Sequence, residues 1–195
     1  MSLPLSRPYP AREGAPVLTH VAAEVFTHRY FGACLACTFC RDACCDHGVD
    51  VDAATLGRIL AQADAIEARV GVARDQWFTG PLVPDADLPG GAGTRTRVAD
   101  GGCVFRSRTA RGCLLHAYAL ETGQDYHLVK PMVSTLFPLT FADGLLCLSG
   151  ELHDGSLVCG GTGPTAYESV RPELAYYFGD ELVMELDALG SPRSA

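Results

Sequence analysis

The chain has 195 residues and a mass of 20.7 kDa, within the reach of one domain. Its 15 basic and 23 acidic residues leave a net charge of −8, which excludes a generic phosphate-binding face, so no nucleic-acid partner is expected. Hydrophobic residues make up 48%, enough for a core without help from metal or disulfides. No apolar run approaches the ~18 residues of a spanning helix, so no membrane partner is expected either.

From the N-terminus, residues 1–16 (MSLPLSRPYPAREGAP) carry four prolines and read as an extended arm. They lack the ~7–15-residue apolar stretch of a secretion signal. The expectation is a cytoplasmic chain, where thiols stay reduced and clustered cysteines bind metal more often than they pair. Residues 17–195 read as a single α+β domain with short hairpins, several helices and a cysteine-rich loop stapled by metal. Within it, Val17, Leu18, Val21, Val25 and Phe26 fit either a strand followed by a helix or a short helix alone.

Residues 34–48 hold the cysteine cluster and must be irregular. Residues 52–70 form the clearest helix, because Leu56, Ile59, Leu60, Ala63, Ile66 and Val70 recur at helical spacing. Asp50 or Asp52 can cap its start and Gly71 its end. Residues 80–102, rich in proline and glycine, read as a long loop or weak hairpin. Residues 103–117 read as two short strands, CVF and CLLH, around the turn RSRTARG. Residues 133–150 read as another hairpin turning at Ala142-Asp143-Gly144. Thr165 and Glu168 make a capping box for a late helix, Gly179 breaks it, and residues 180–189 form a final helix.

Nine cysteines, an odd number, cannot all pair with one another. Five of them fall within twelve residues, as Cys34-x2-Cys37-x2-Cys40-x3-Cys44-Cys45. A two-residue gap lets two thiolates turn onto one ion, and soft thiolates select zinc or an iron–sulfur cluster over magnesium or calcium. The first four share the spacing of a bacterial ferredoxin run, which favours iron in a 4Fe-4S cluster, although Cys45 stands where that run has proline. A second set is Cys103-x9-Cys113-x2-His116, in which a hairpin would bring the two cysteines side by side. Cys159 precedes Gly160-Gly161 and is open to a metal. Cys147, in the apolar LLCLS, favours core packing, and His47 favours a position behind the sulfurs or in solvent. The role of His127 is undetermined. Gly161-x-Gly163-x2-Ala166 fits a loose dinucleotide fingerprint. Pro164 removes an amide there and too little chain follows, so a plain strand-to-helix turn is expected.

The ordered set of motifs resembles the bacterial YkgJ-type cysteine-cluster proteins, an uncharacterised branch of zinc- or iron-chelating CxxCxxCC domains. The matching pieces are Cys40-Arg-Asp-Ala-Cys44-Cys45, Gly102-Cys103-Val-Phe, Gly112-Cys113-Leu-Leu-His116 and Glu121-Thr-Gly123. Lys130-Pro131-Met-Val-Ser134-Thr-Leu-Phe-Pro138, Leu157-Val158-Cys159 and Tyr177-Phe178-Gly179-Asp-Glu181 complete it. The resemblance implies that Cys40, Cys44, Cys45, Cys103, Cys113 and Cys159 are ligands. Ser134 stands where the family has a further cysteine. Either the site has one ligand fewer, or Cys34, Cys37 or Cys147 substitutes, or a coordination position is open.

Three functions follow as expectations. The first is a metal-binding protein, structural or redox, whose ligand set is drawn from Cys34, Cys37, Cys40, Cys44, Cys45, Cys103, Cys113 and Cys159. The second is a metalloenzyme using a position left open by Ser134. The third is a thiol redox sensor with Cys44-Cys45 or Cys34/Cys37 as its switch.

Overall fold

A computed structural model describes residues 1–32 and 39–191 of the chain. The first strands are β1 (Ser2–Pro10), β2 (Val17–Ala22), β3 (Arg29–Tyr30) and β4 (Asp50–Asp52). Helices α1 (Ala53–Ala61) and α2 (Ala63–Val70) follow, then β5 (Val83–Pro84), β6 (Ala92–Arg95), β7 (Val98–Ala99) and β8 (Gly102–Cys103). Next come α3 (Leu114–Glu121), α4 (Met132–Leu136), β9 (Leu139–Ala142), β10 (Leu145–Leu148) and α5 (Gly150–His153). The chain closes with β11 (Gly160–Thr165), α6 (Ala166–Phe178) and α7 (Asp180–Gly190). The fold is α+β, as expected.

Two compact units emerge. The first combines Met1–Gly32 with Leu136–Ala195, and the second is Ala33–Thr135.

In the first unit a four-stranded sheet runs in the order β1-β2-β10-β9. The expected arm is therefore extended and also paired, antiparallel to β2. Its prolines remove ladder donors, which an edge strand tolerates. The β9–β10 hairpin turns on Asp143 (φ 51°) and Gly144 (φ 77°), the pair of positive values that a two-residue turn between twisted strands requires. The expected start of this hairpin at residue 133 is too early, because Met132–Leu136 is helical.

β11 pairs with β3 and leads straight into α6. Gly163, the second glycine of the loose fingerprint, has φ 84°, and a Cβ there would meet the Tyr30 carbonyl oxygen at 3.0 Å. Close strand approach accounts for this glycine. Thr165 and Glu168 form the expected reciprocal capping box. Gly179 separates α6 from α7, and the two helices are pinned together across that break. Tyr167 Oη donates to Asp187 Oδ1 at 2.6 Å, and Arg171 Nη2 donates to Asp187 Oδ2 at 2.6 Å.

In the second unit the predicted 52–70 helix is two helices meeting at Gln62, whose backbone (φ −114°, ψ 18°) leaves the helical region. The Tyr118 hydroxyl donates to Gln62 Oε1 at 2.9 Å and holds the break. Asp52 caps α1 through the Thr55 N–H, and Gly71 closes α2 with φ 68°. Leu60, expected in the core, is 45% exposed. Ile59, Ala63 and Ile66 form the buried stripe, packed with Val51, Trp77, Cys103, Val104, Phe105, Leu115, Tyr118, Ala119 and Val129. Trp77 and Phe105 meet edge to face at 5.4 Å, and the indole N–H donates to the Val72 carbonyl at 2.9 Å.

The CLLH segment is not a strand. Leu114–Glu121 is a helix that buries Leu115, Tyr118 and Ala119, an i, i+3, i+4 face that four residues read alone cannot reveal.

The Tyr167–Asp187–Arg171 link generates a prediction. Arg171 first, then Tyr167, holds the Asp187 carboxyl down from its ordinary 3.8 to about 2. Its contribution is therefore present above about pH 4 and lost as pH falls through about 2. Tyr167→Phe should lower unfolding free energy at pH 7 by about 1–2 kcal/mol, the worth of a hydrogen bond to a charged acceptor. In denaturant titrations the gap between variant and parent should shrink between pH 4 and pH 2.

Candidate metal centre

The cysteines that converge lie in the second unit. Cys103 ends β8 inside the apolar core and is 7% exposed. The Arg106 N–H donates to the Cys103 carbonyl at 2.8 Å, and the backbone amides of Phe105 and Arg106 lower the Cys103 thiol against its burial. Its thiol donates to Thr96 Oγ1 at 3.3 Å. The chain then loops back on itself. Ser107 N–H donates to the Gly112 carbonyl at 2.9 Å, Leu114 N–H donates to the Phe105 carbonyl at 2.7 Å, and Arg106 bridges Cys113. The segment between Cys103 and Cys113 thus closes as a loop, with Arg106 opposite Cys113, rather than as the expected hairpin. Cys113 is the residue just before α3, where the His116 backbone amide lowers its thiol against burial. Backbone amides that lower a thiol favour its anionic form, the form that binds metal.

The cysteine run reaches this loop through two arginines. Arg106 pairs with Asp46, and Arg111 pairs with Asp42 at 3.2 Å. Arg111 Nη2 also donates to Cys40 Sγ at 3.2 Å. Between them the chain takes a tight path: Arg41 and Asp42 both have left-handed backbones, with φ of 51° and 59°. A short helical turn, Ala43–Cys45, follows and sets Cys44 Sγ 3.9 Å from Cys45 Sγ. Two adjacent non-glycine residues at positive φ store strain, which is retained where surrounding contacts fix it.

Electrostatics tie the segments together. Burial first, then the nearby Cys45 and Cys103 sulfurs, pushes the Cys113 thiol up to about 11, against His116 N–H and the Lys130 ammonium, which pull it down. Burial and Cys45 also raise the Cys103 thiol. Cys45 and Cys103 therefore oppose ionisation of Cys113, and Cys45 opposes that of Cys103. A soft cation among them would reverse that opposition, so the donor chemistry fits zinc or iron. Among the described residues, no group of three or more Cys, His, Asp or Glu side chains is drawn close enough to hold an ion.

The remaining candidates sit elsewhere or play other parts. Cys34 and Cys37 lie outside the described residues. Cys159 belongs to the first unit, where it is 4% exposed and its carbonyl accepts from Phe31 N–H at 3.0 Å. It is buried there, not open as its glycine-rich context implied. Cys147, expected in the core, sits on β10 opposite Thr140, half-buried between the fully covered Leu146 and Leu148. Burial and Glu24 raise its thiol. His47 is exposed, and Ser134 is half-buried on α4.

His116 and His127 instead build a ring stack. His116 lies on Tyr126 at 4.4 Å and Tyr126 on His127 at 4.1 Å, while Asp125 Oδ1 takes His127 Nδ1 at 2.5 Å. Sequence reasoning missed this stack and the two arginine pins. The pins had one visible signal, the pair Arg106 and Arg111 between two candidate ligands.

Comparison with protein-family models, with curated proteins and with solved structures gives no match.

The raised thiols set a pH dependence. Folded Cys113 ionises near 11 and an unfolded thiol near 9. The protonated thiol therefore favours the fold below about pH 9, and that preference is lost as pH rises through about 11. Chelator-treated protein should show a falling denaturation midpoint across this interval. Cys113→Ser should flatten part of the fall; an unchanged slope in that variant would assign it to other groups.

Proposed function

We propose that this chain is a metal-binding protein of the YkgJ-type cysteine-cluster group. In this reading its second unit holds zinc or an iron–sulfur cluster through cysteine thiolates, in the reducing cytoplasm. What supports this reading is the electrostatic coupling of Cys103 and Cys113 to each other and to Cys45. Cys45 raises the Cys103 thiol, and Cys45 and Cys103 raise the Cys113 thiol, while the backbone amides of Phe105, Arg106 and His116 lower these two. Uncharged packing needs no amides that lower a thiol, and a disulfide-forming pair needs no third thiol. A thiolate complex uses both features.

Cys40 and Cys44 join the set through the Arg111 and Asp42 contacts and the short turn that carries Cys44 beside Cys45. Cys34 and Cys37 enter through sequence spacing alone, and Cys159 through the resemblance alone. The group's role is to tie the 40–46 loop to the Cys103–Cys113 loop. If the guest is iron–sulfur, the same thiolates would also set its reduction potential.

Metal content per chain, with an absorption spectrum of anaerobically purified protein, tests the reading. Stoichiometric zinc without colour, or iron with sulfide and broad visible absorption, is the expected result. The Cys103→Ser, Cys113→Ser double variant should retain less than about a tenth of that metal, since each lost thiolate removes a ligand bond that structural sites depend on. Metal-free parent protein with several rapidly titrating thiols would overturn the proposal in favour of a thiol redox sensor.

A further inference from the structure

Arg111 is presented from the closed loop between Cys103 and Cys113. Ser107 holds both of its neighbours: the Ser107 hydroxyl accepts from Ala110 N–H at 2.9 Å, and Ser107 N–H donates to the Gly112 carbonyl at 2.9 Å. From this loop the guanidinium reaches the cysteine run, where Nη2 donates to Cys40 Sγ at 3.2 Å and pairs with Asp42 Oδ1 at 3.2 Å. Its Nε is fully covered and, among the described residues, has no hydrogen-bond partner.

A guanidinium carries Nε–H and one Nη2–H side by side, a fork suited to two acceptors at once. Two other arginines of this chain fill both arms. Arg171 gives Nε to Asp187 Oδ1 at 3.0 Å and Nη2 to Asp187 Oδ2 at 2.6 Å. Arg74 gives Nε and Nη2 to Glu67 Oε2 at 2.9 and 2.5 Å. Arg111 fills the Nη2 arm alone. A covered N–H on a permanently charged group is costly without an acceptor, so the bare Nε calls for a partner. The Asp42 contact is made by Nη2. The other acceptors in which this stretch is rich are sulfurs: Nη2 is already on Cys40, and Cys44 and Cys45 follow in the same run with sulfurs 3.9 Å apart.

We infer that Arg111 is a positioning residue whose fork spans two sulfurs of the metal–thiolate complex, Cys40 Sγ on Nη2 and a second metal-bound cysteine sulfur on Nε. The inference rests on the metal-binding reading above and adds which side chain seats the cysteine run on the 103–113 loop. Two thiolates on one zinc lie about 3.8 Å apart, from a ~2.3 Å bond and tetrahedral angles, a spacing within reach of adjacent donors. Loading brings the second acceptor to Nε as the ion draws the thiolates together. A guanidinium stays charged across the working pH range, so both bonds are charge-assisted.

Cadmium-113, a soft ion that takes thiolate ligands as zinc does, supplies the probe in the full chain. The Arg111 Nε–H resonance of nitrogen-15-labelled protein is assigned by its absence from Arg111→Lys. On loading, this proton should exchange more slowly with water and show scalar coupling to the bound cadmium through the intervening sulfur. An Nε–H that exchanges as fast in loaded as in metal-free protein, with no coupling to cadmium, overturns the inference. Zinc affinity, measured anaerobically by competition with a chromophoric chelator, gives a second readout. Arg111→Lys keeps the charge and one donor arm and should bind zinc about tenfold more weakly, the worth of one hydrogen bond to a charged acceptor. If Arg111→Lys is folded by circular dichroism and binds within about twofold of the parent, the second arm is unused and the inference is also overturned. A parent that binds no zinc, iron or cadmium would instead defeat the metal-binding reading itself, and this inference with it.

Discussion

Burial and neighbouring sulfurs oppose ionisation of the Cys103 and Cys113 thiols, and the proposed function depends on that opposition. Cys103 sits in an apolar core, Cys113 packs against it, and Cys45 ends a short turn whose next residue, Asp46, pairs with Arg106. Each sulfur makes the next harder to ionise, and burial adds to the cost. Such an arrangement is unfavourable for thiolates alone and favourable once a soft cation is shared. The His116 amide and the Lys130 ammonium lower the Cys113 thiol, the same direction in which that cation would act.

The support behind the site is rigid. Cys103 is continuous with the cluster that contains Trp77, Phe105, Ile59 and Ile66, so its sulfur is fixed by core packing. Cys113 is fixed by the turn closing onto Phe105 and by the first turn of α3. The cysteine run has less packing of its own and is held mainly by charge, through Arg106–Asp46 and Arg111–Asp42. Partly exposed ion pairs of this kind are individually weak. The loop is thus the part whose order would gain most from metal.

Much of this was legible in the sequence, for local reasons. The Thr165–Glu168 box, the Asp143-Gly144 turn, the Asp52 cap and the Gly71 stop all depend on neighbours within four residues, and all are present. The misreadings depend on distant partners. Gln62 breaks a helix because Tyr118 reaches it from α3, and the CLLH segment is helical because Leu115, Tyr118 and Ala119 meet the core. Ser2–Pro10 of the expected arm is a strand because β2 offers it an edge. At the candidate site, spacing marked Cys103 and Cys113 as the ends of a loop, and the chain between them does close back on itself. It could not identify Arg111 beside Cys40 or Lys130 beyond Tyr126, because nothing local marks a charge that acts across the fold.

Anaerobic cobalt(II) titration probes the shared thiolate site most directly, because sulfur-to-cobalt charge transfer absorbs in proportion to the number of thiolates bound. The account predicts a saturable near-ultraviolet charge-transfer band with tetrahedral visible absorption. Each of Cys45→Ser, Cys103→Ser and Cys113→Ser should diminish it. A cobalt spectrum without charge-transfer intensity, or one unchanged in all three variants, would contradict a centre built from these sulfurs.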